Sequence, residues 1–264
     1  MELTAADIKT YRERGYLLLD KVISDRELSV LDAAMREVVA GDGPQVAREP
    51  SGEPHVVYGM HQLDPRLTAL SRHPAIVNPA MQILGKEVYV HQSRVNVKQT
   101  GGSIVKWHQD FGTYHRVDGV PRPDGIMIAV FLDDITPCNA PVLAIPGSHK
   151  HGLVSEALTD PTSEDFEAVS RYRFDIQPER LASLTAEHGV EPIMGPKGSV
   201  LFMDMTVVHG STVNITPLRR VILYLNVCTT DNQGTSFERP EYYAARDFNG
   251  IVPDGADCLT RFAR

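Results

Sequence analysis

The tightest constraint on this chain comes from three side chains that the sequence keeps apart. His108 and Asp110 lie two residues apart in Trp107-His108-Gln109-Asp110-Phe111, and His209 stands far downstream in Val208-His209-Gly210-Ser211. Two imidazoles and one carboxylate are the donors that cap one face of an octahedral non-haem Fe(II) and leave the opposite face open for oxygen chemistry. Residues i and i+2 of a strand project to the same side, so His108 and Asp110 near a strand end can reach one ion. His209 must then come from a distant strand. A double-stranded β-helix, the jelly-roll or cupin-like core, brings such strands to one mouth. His-X-Asp is a short pattern that ten histidines could produce by chance, so it gains weight only from what stands around it.

Arg220 is the first such neighbour. It follows His209 by eleven residues, within Asn214-Ile215-Thr216-Pro217-Leu218-Arg219-Arg220. A guanidinium there can hold the far carboxylate of 2-oxoglutarate by bidentate hydrogen bonding while the 2-oxo acid end chelates iron. Strand alternation sends one of Arg219 and Arg220 inward and the other out; we assign Arg220 inward. The alternative is a solvated pair at a strand start. His149, in Gly147-Ser148-His149-Lys150-His151, is a rival ligand, but its turn setting points to a structural or substrate-facing role. His55, His61, His91 and His115 read as ordinary polar residues, with His115 close enough to the triad to line a pocket.

Apolar periodicity supplies the architecture: mainly β, with helical additions. Thr4 caps a helix running through Glu13 and ended by Gly15, and Tyr16-Leu17-Leu18-Leu19 is a short strand. Ser24-Asp25-Arg26-Glu27 is a capping box ahead of Leu28, Leu31, Met35 and Val38 at helical spacing. Asp64 to Leu84 reads as two helices broken near His73-Pro74. From Glu87 the period changes to two, with Val88, Val90, Val95 and Val97 alternating with polar residues. Strands are expected at Ile126 to Leu132, Val142 to Ile145, Ser199 to Met203 and Arg220 to Val227, and a helix near Pro178 to His188. Residues 1–86 thus form a mostly helical N-terminal layer and 87–229 a β-helix core with an insertion near 155–190. Residues 230–264 form a C-terminal tail, and the whole is read as one domain.

Bulk properties narrow the partners. A length of 264 residues is within range for one β-barrel domain with helical additions, and 42% hydrophobic with 23% charged residues argues against a long disordered region. A net charge of −8 with no basic run argues against nucleic acid. Cys138, Cys228 and Cys258 are too sparse for a disulfide framework or a zinc site, which fits a reducing cytoplasm. The first residues lack the stretches of a signal peptide, and no apolar run is long enough to span a membrane. The expected partner is a small molecule met by a monomer or homodimer.

Three stretches resemble the phytanoyl-CoA dioxygenase superfamily of Fe(II)/2-oxoglutarate oxygenases, and more closely its ectoine hydroxylase and free-amino-acid (leucine) hydroxylase branch. They are His91-Gln92-Ser93-Arg94-Val95-Asn96-Val97-Lys98, Trp107 to His115 continuing to Asp118-Gly119-Val120-Pro121, and His209-Gly210-Ser211 through Asn214-Ile215-Thr216-Pro217 to Arg220. Asn139-Ala140-Pro141-Val142 and Pro146-Gly147-Ser148-His149 match the linking segments, so the resemblance spans nearly the whole chain. It implies a jelly-roll core, iron on His108, Asp110 and His209, and 2-oxoglutarate held by Arg220 with Asn96 and Ser211. It turns Gln92 and Arg94 toward the substrate. Fe(II), 2-oxoglutarate and O2 would be required, with ascorbate as a supporting reductant. Related halogenases carry Ala or Gly where this chain has Asp110, so the carboxylate implies oxygenation. Ectoine hydroxylases carry Glu where this chain has Gly112 and Trp where it has Tyr114, and the tail Arg239-Pro240-Glu241-Tyr242-Tyr243 is closer to the amino-acid hydroxylase. The substrate implied is a small polar zwitterion. Arg94 and Arg122 are candidates for its carboxylate, and Gln92, Thr113, Tyr114 and His115 for its other polar groups; Arg122 otherwise reads as a solvated loop residue. Competing readings are an oxygenase of carrier-tethered or secondary-metabolite scaffolds, a non-catalytic binding module of the same fold, and a zinc hydrolase, which leaves Arg220 without a purpose.

Overall fold

The longest β-pairing in the chain sets its layers. A computed structural model describes residues 1–157 and 174–263. In it β4 (Val88–Lys98) runs antiparallel to β13 (Arg220–Thr229) along nearly its full length. Around this pair a seven-stranded sheet forms in the order β1 (Tyr16–Leu19), β11 (Val200–Asp204), β6 (Gly125–Phe131), β13, β4, β3 (Pro54–Tyr58), β2 (Val46–Arg48). A second sheet orders β10 (Glu191–Ile193), β7 (Val142–Ala144), β12 (His209–Ser211) and β5 (Val105–His108). A two-stranded sheet joins β8 (Glu156–Ala157) to β9 (Phe174–Asp175).

Period-two alternation divides the large sheet into two faces. Val221, Leu223, Leu225 and Val227 of β13, with Ile126, Ile128 and Val130 of β6, pack against the helices. Those helices are α1 (Ala5–Arg14), α2 (Asp25–Val39), α4 (Pro65–Ser71) and α5 (Pro74–Leu84). The opposite face presents Ile222, Tyr224, Met127, Ala129, Phe131, Leu201 and Met203 to Val142, Ala144 and Ile193 of the small sheet. This is the jelly-roll expected from the ligand spacing, with helices covering its outer face.

The local signals behave as their chemistry requires. Thr4 and Ser24 each close a capping box, and Gly15 ends α1 at φ 81°. His73 is the N-cap of α5, accepting from the Ala75 amide, which is why the two-helix segment breaks there. Helix α7 (Pro178–His188) lies where expected. Three expectations need correction. The N-terminal layer also contributes β2 and β3, which extend the large sheet beside β4; Pro, Gly and charged residues around Val46 and Val56 obscured their alternation. A short helix, α3 (Met60–Leu63), precedes α4. Asp110 does not share a strand with His108, because β5 ends at His108 and α6 (Asp110–Val117) begins at Asp110. Of the insertion expected near 155–190, residues 158–173 lie outside the described residues.

Leu223 is fully buried between β13 and the helical layer. Leu223→Ala should cost about 2–5 kcal/mol of unfolding free energy, read as a lower urea midpoint at unchanged slope.

Candidate metal centre and its cavity

Antiparallel register brings the two distant histidines together. His209 of β12 pairs directly with His108 of β5, and the imidazole centroids are 4.3 Å apart. Asp110 joins them from the first turn of α6, with Oδ1 3.6 Å from His108 Nε2. The donor atoms of the three residues all lie within 4.8 Å of one another. Gln109 fixes the turn between strand and helix. Its Oε1 accepts from the Val154 and Ser155 amides, and its Nε2 donates to the Gly152 and Thr206 carbonyls.

Backbone carbonyls select the histidine tautomers. His108 Nδ1 lies 2.8 Å from the Lys106 carbonyl and His209 Nδ1 3.0 Å from the Val207 carbonyl. A carbonyl only accepts, so each Nδ1 carries the proton and each Nε2 keeps its lone pair for an ion. Burial, reinforced by His108, pushes His209 down to about 4, so its imidazole is neutral at physiological pH. Burial opposes ionisation of Asp110, but its hydrogen bond to His108, with His209 and Arg94 nearby, holds the carboxyl well below its usual range. Asn226 donates to Asp110 Oδ2 at 2.8 Å and accepts from Arg94 at 3.3 Å, which fixes how the carboxylate presents itself.

A β-bulge aims the rest of the site. Gln92 pairs with Asn226 and Val90 with Val227, leaving His91 as the extra residue. The inward face of β4 therefore switches parity. Val88, Val90, Val95 and Val97 all meet the helical layer, while Gln92, Arg94 and Asn96 line a cavity together with the triad. Arg220, Ser211, Thr113, Tyr114, Tyr224, His55 and Arg239 line the same cavity.

At one end of this cavity cations crowd. Arg220 pairs in register with Lys98, and both are almost completely buried. Arg220 Nε and Nη1 have no hydrogen-bond partner, and neither has Asn96 Oδ1. Lys98 Nζ donates to Ser211 Oγ at 2.7 Å and to the Thr212 carbonyl at 2.8 Å; burial, with Arg220 beside it, pushes the amine down to about 6. Asn214 shapes the preceding loop by donating to the Leu218 and Lys98 carbonyls. Arg219 faces outward to Asp133 and Asp32, as alternation requires. Unpaired buried guanidinium donors are costly unless an anion completes them. A dicarboxylate reaching from the triad to Arg220 satisfies them, so the residues present fit iron and 2-oxoglutarate.

The other wall is largely satisfied internally. Asp118 is buried, and His91 Nε2 lies 2.9 Å from its Oδ2 while Arg239 grips it through Nε and Nη2. Burial works against the Asp118 charge, yet His91 and Arg239 hold its carboxyl below the usual range. Arg239 Nη1 donates to Gln92 at 2.9 Å, and its guanidinium lies over the Tyr114 ring. The Tyr114 hydroxyl is buried without a partner.

Of the residues the sequence suggested for the substrate, Thr113, Tyr114, Gln92 and Arg94 line this cavity and His115 does not. On α6, Asp110, Thr113 and Tyr114 share one face by helical spacing, and His115 falls on the exposed side. There it stacks on Phe111 and bonds the Val120 carbonyl. Arg122 is likewise outside, paired with Asp124 and Asp231. His149 bonds the Arg12 carbonyl and is no ligand of the triad. Asn226, Lys98, Tyr224 and Asp118 were missed; Arg239 was noted only as part of the tail. For Asn226 the signal was available, because it has the same strand parity as Arg220.

Asn226→Ala should leave the fold intact and weaken binding of Fe(II), or Co(II) as its stand-in, by roughly 10–100-fold in a metal titration.

Comparison with known proteins agrees with this geometry. L-proline trans-4-hydroxylase of Streptomyces griseoviridis is 32% identical over 255 residues, covering 94% of this chain and 95% of that protein. Ectoine dioxygenase of Bordetella parapertussis is 32% identical over 265 residues, covering 95% and 85%. The crystal structure of EctD from S. alaskensis with 2-oxoglutarate and 5-hydroxyectoine superposes with a TM-score of 0.83 at 29% identity, covering 96% of this chain and 87% of that one. The model of the phytanoyl-CoA dioxygenase (PhyH) family matches residues 11–222, and to that family this chain belongs.

Proposed function

We propose that this chain is an Fe(II)/2-oxoglutarate-dependent dioxygenase that hydroxylates an unactivated C–H bond of a small polar molecule, a free amino acid or a derivative of one. The observation that carries the reading is Arg220: a buried guanidinium with Nε and Nη1 unpartnered, lining the cavity that His108, Asp110 and His209 close. His108 and His209 offer Nε2 to the iron, and Asp110 completes the face. Arg220, with Asn96 and Ser211, holds the far carboxylate of 2-oxoglutarate, and Lys98 adds charge behind Ser211. When bound, iron and 2-oxoglutarate supply the oxidant: O2 converts the 2-oxo acid to succinate and CO2, and its second oxygen atom goes to the substrate. Asp110 fills the place a halide would need, so the product is hydroxylated rather than halogenated.

Gln92, Arg94, Thr113, Tyr114 and Arg239 surround the substrate. Their job is to hold one carbon toward the iron and to exclude water. Arg239, locked by Asp118 and Gln92, makes a rigid polar wall, and the Tyr114 hydroxyl is a neutral donor because burial, with Asp110 nearby, pushes its pKa far up. Two departures turn the reading away from ectoine. Tyr114 replaces a larger indole, and Gly112 has no room for a side chain, since a Cβ there would lie 2.4 Å from Ser155 Oγ. The protein acts as one domain on a free small molecule, as a monomer or homodimer in the cytoplasm. A net charge of −8 supports that over nucleic acid, and three unpaired cysteines support a reducing compartment. No helix among the described residues is long and apolar enough to cross a membrane.

The test is succinate release with product mass, using Fe(II), ascorbate, 2-oxoglutarate and a panel of free amino acids, proline and ectoine. One amino acid should stimulate succinate release and gain one oxygen atom, and His209→Ala should abolish both. Arg220→Ala should raise the KM for 2-oxoglutarate by about 100-fold, the loss expected for a charge-assisted bidentate contact of roughly 3 kcal/mol. Succinate release with no panel member modified would move the substrate to tethered scaffolds. No release above the His209→Ala control would overturn the oxygenase reading in favour of a binding module.

Lys98 adds a pH signature. Its pKa lies near 6 in the folded protein against 10.5 for a free lysine, so between those values the folded form binds fewer protons than the unfolded chain. Stability therefore rises with pH through that window. A dicarboxylate arriving beside Lys98 favours the ammonium form. Titration calorimetry of 2-oxoglutarate at pH 7.5 in buffers of different ionisation enthalpy should show proton uptake. The uptake should vanish in Lys98→Met and shrink below pH 6.

A further inference from the structure

The turn that braces His209 carries a second group of ligating side chains. Ser148 Oγ accepts from the Val208 amide at 2.9 Å, and the same short 3-10 turn, Ser148–His151, ends in His151. The last two residues of α7, Glu187 and His188, come against it. His151 Nε2 and His188 Nε2 are 3.0 Å apart. Glu187 Oε1 lies 3.3 Å from His188 Nε2 and its Oε2 3.7 Å from His151 Nε2, and one donor atom from each residue can be chosen with all three within 4.8 Å of one another. None of the three lines the cavity described above.

We propose that His151, Glu187 and His188 form a second metal site, which binds Zn2+ reversibly and clamps α7 to the turn. An ion held tetrahedrally by bonds of about 2.0–2.1 Å sets its ligand atoms roughly 3.3 Å apart. The Nε2–Nε2 separation and the distance from each histidine to its nearer carboxylate oxygen, at 3.0, 3.3 and 3.7 Å, lie around that value. Two imidazole nitrogens facing one another at 3.0 Å can share only one proton, whereas an ion between them uses both lone pairs and the carboxylate offsets its charge. Two nitrogens and one carboxylate suit zinc and its late first-row neighbours rather than Mg2+ or Ca2+, which take oxygen shells. The side chains are 26%, 54% and 20% exposed for His151, Glu187 and His188, so water completes the coordination and the ion can exchange. Gly147 leaves room for the His188 ring, since an added Cβ would lie 3.3 Å from its Nδ1. The clamp bears on the iron site through two links: Ser148 on the Val208 amide beside His209, and Gly152, after His151, whose carbonyl accepts from Gln109 between His108 and Asp110.

The deciding experiment uses the full chain with His209→Ala, which disables the triad as a competing zinc site. After equilibrium dialysis against ZnCl2, metal content is read by elemental mass spectrometry. The expected result is about one zinc per chain in His209→Ala and none in His209→Ala with His188→Gln. His151→Gln and Glu187→Gln in the same background provide independent losses, with circular dichroism confirming the fold of each. Zn2+ should also raise the thermal midpoint of His209→Ala, and His188→Gln should remove that rise. Zinc absent from folded His209→Ala, or zinc retained undiminished in all three double variants, would overturn the site and leave a hydrogen-bonded histidine pair.

Discussion

The pairing of β4 with β13 is the interaction on which the rest of the molecule depends. One face of these two strands is apolar and packs on the helices, which supplies the burial that drives folding. Their other face is charged and polar, with Arg94, Asn96 and Lys98 from one strand and Arg220 and Asn226 from the other. Placing so many donors in an interior is expensive, and a sheet can carry them only where partners are present or a ligand arrives. The apolar face holds the strands rigidly in register, and that rigidity presents unpaired groups to the cavity without letting them relax onto one another.

How the buried polar groups are satisfied divides the cavity by purpose. Around Asp118 nearly every donor and acceptor is used, by His91, Arg239 and Gln92. Such a network is worth more when complete and fixes the orientation of its members. Around Arg220 the opposite holds, with two guanidinium nitrogens and the Asn96 oxygen left over. Completed networks make walls and incomplete ones make subsites. Asn226 belongs to the first kind, since it spends its amide on Asp110 and its carbonyl on Arg94, so the metal-facing carboxylate oxygen has little freedom to turn away.

Much of this was legible in the sequence where short-range periodicity carried it. The cap at Thr4, the capping box at Ser24, the opposite facing of Arg219 and Arg220 and the core strands follow from spacing rules, whereas the triad needed the family resemblance as well as its spacing. The parity switch in β4 was visible too, because its core valines occupy even positions at Val88 and Val90 and odd ones at Val95 and Val97. That switch is the trace of the bulge at His91. What spacing could not supply were partners joined across long stretches of chain. Asp118 and Arg239 are brought together only by the fold, and β3 is a strand because the edge of β4 pairs with it, as β2 is because β3 does. Closeness in sequence to the triad said nothing of which way His115 faces: a period of 3.6 puts Asp110, Thr113 and Tyr114 on one side of α6 and leaves His115 exposed.

The division between strands and helix also explains how one family can hold different substrates. His108, His209, Asn96, Ser211 and Arg220 sit on β4, β5, β12 and β13, whose register is fixed by pairing, so a change there disturbs the core, while Asp110 opens α6. Thr113 and Tyr114 sit on α6 and Arg239 in the irregular tail, where side chains can be exchanged without moving a strand. Even Gly112 fits this division, since the space a side chain would need is taken by Ser155 rather than by any residue of the sheets. Thr113, Tyr114 and Arg239 thus reach the cavity from elements laid over the jelly-roll, while Gln92 and Arg94 reach it from β4. A polar wall built from Arg239, Gln92 and Tyr114 can therefore change without moving His108 or His209.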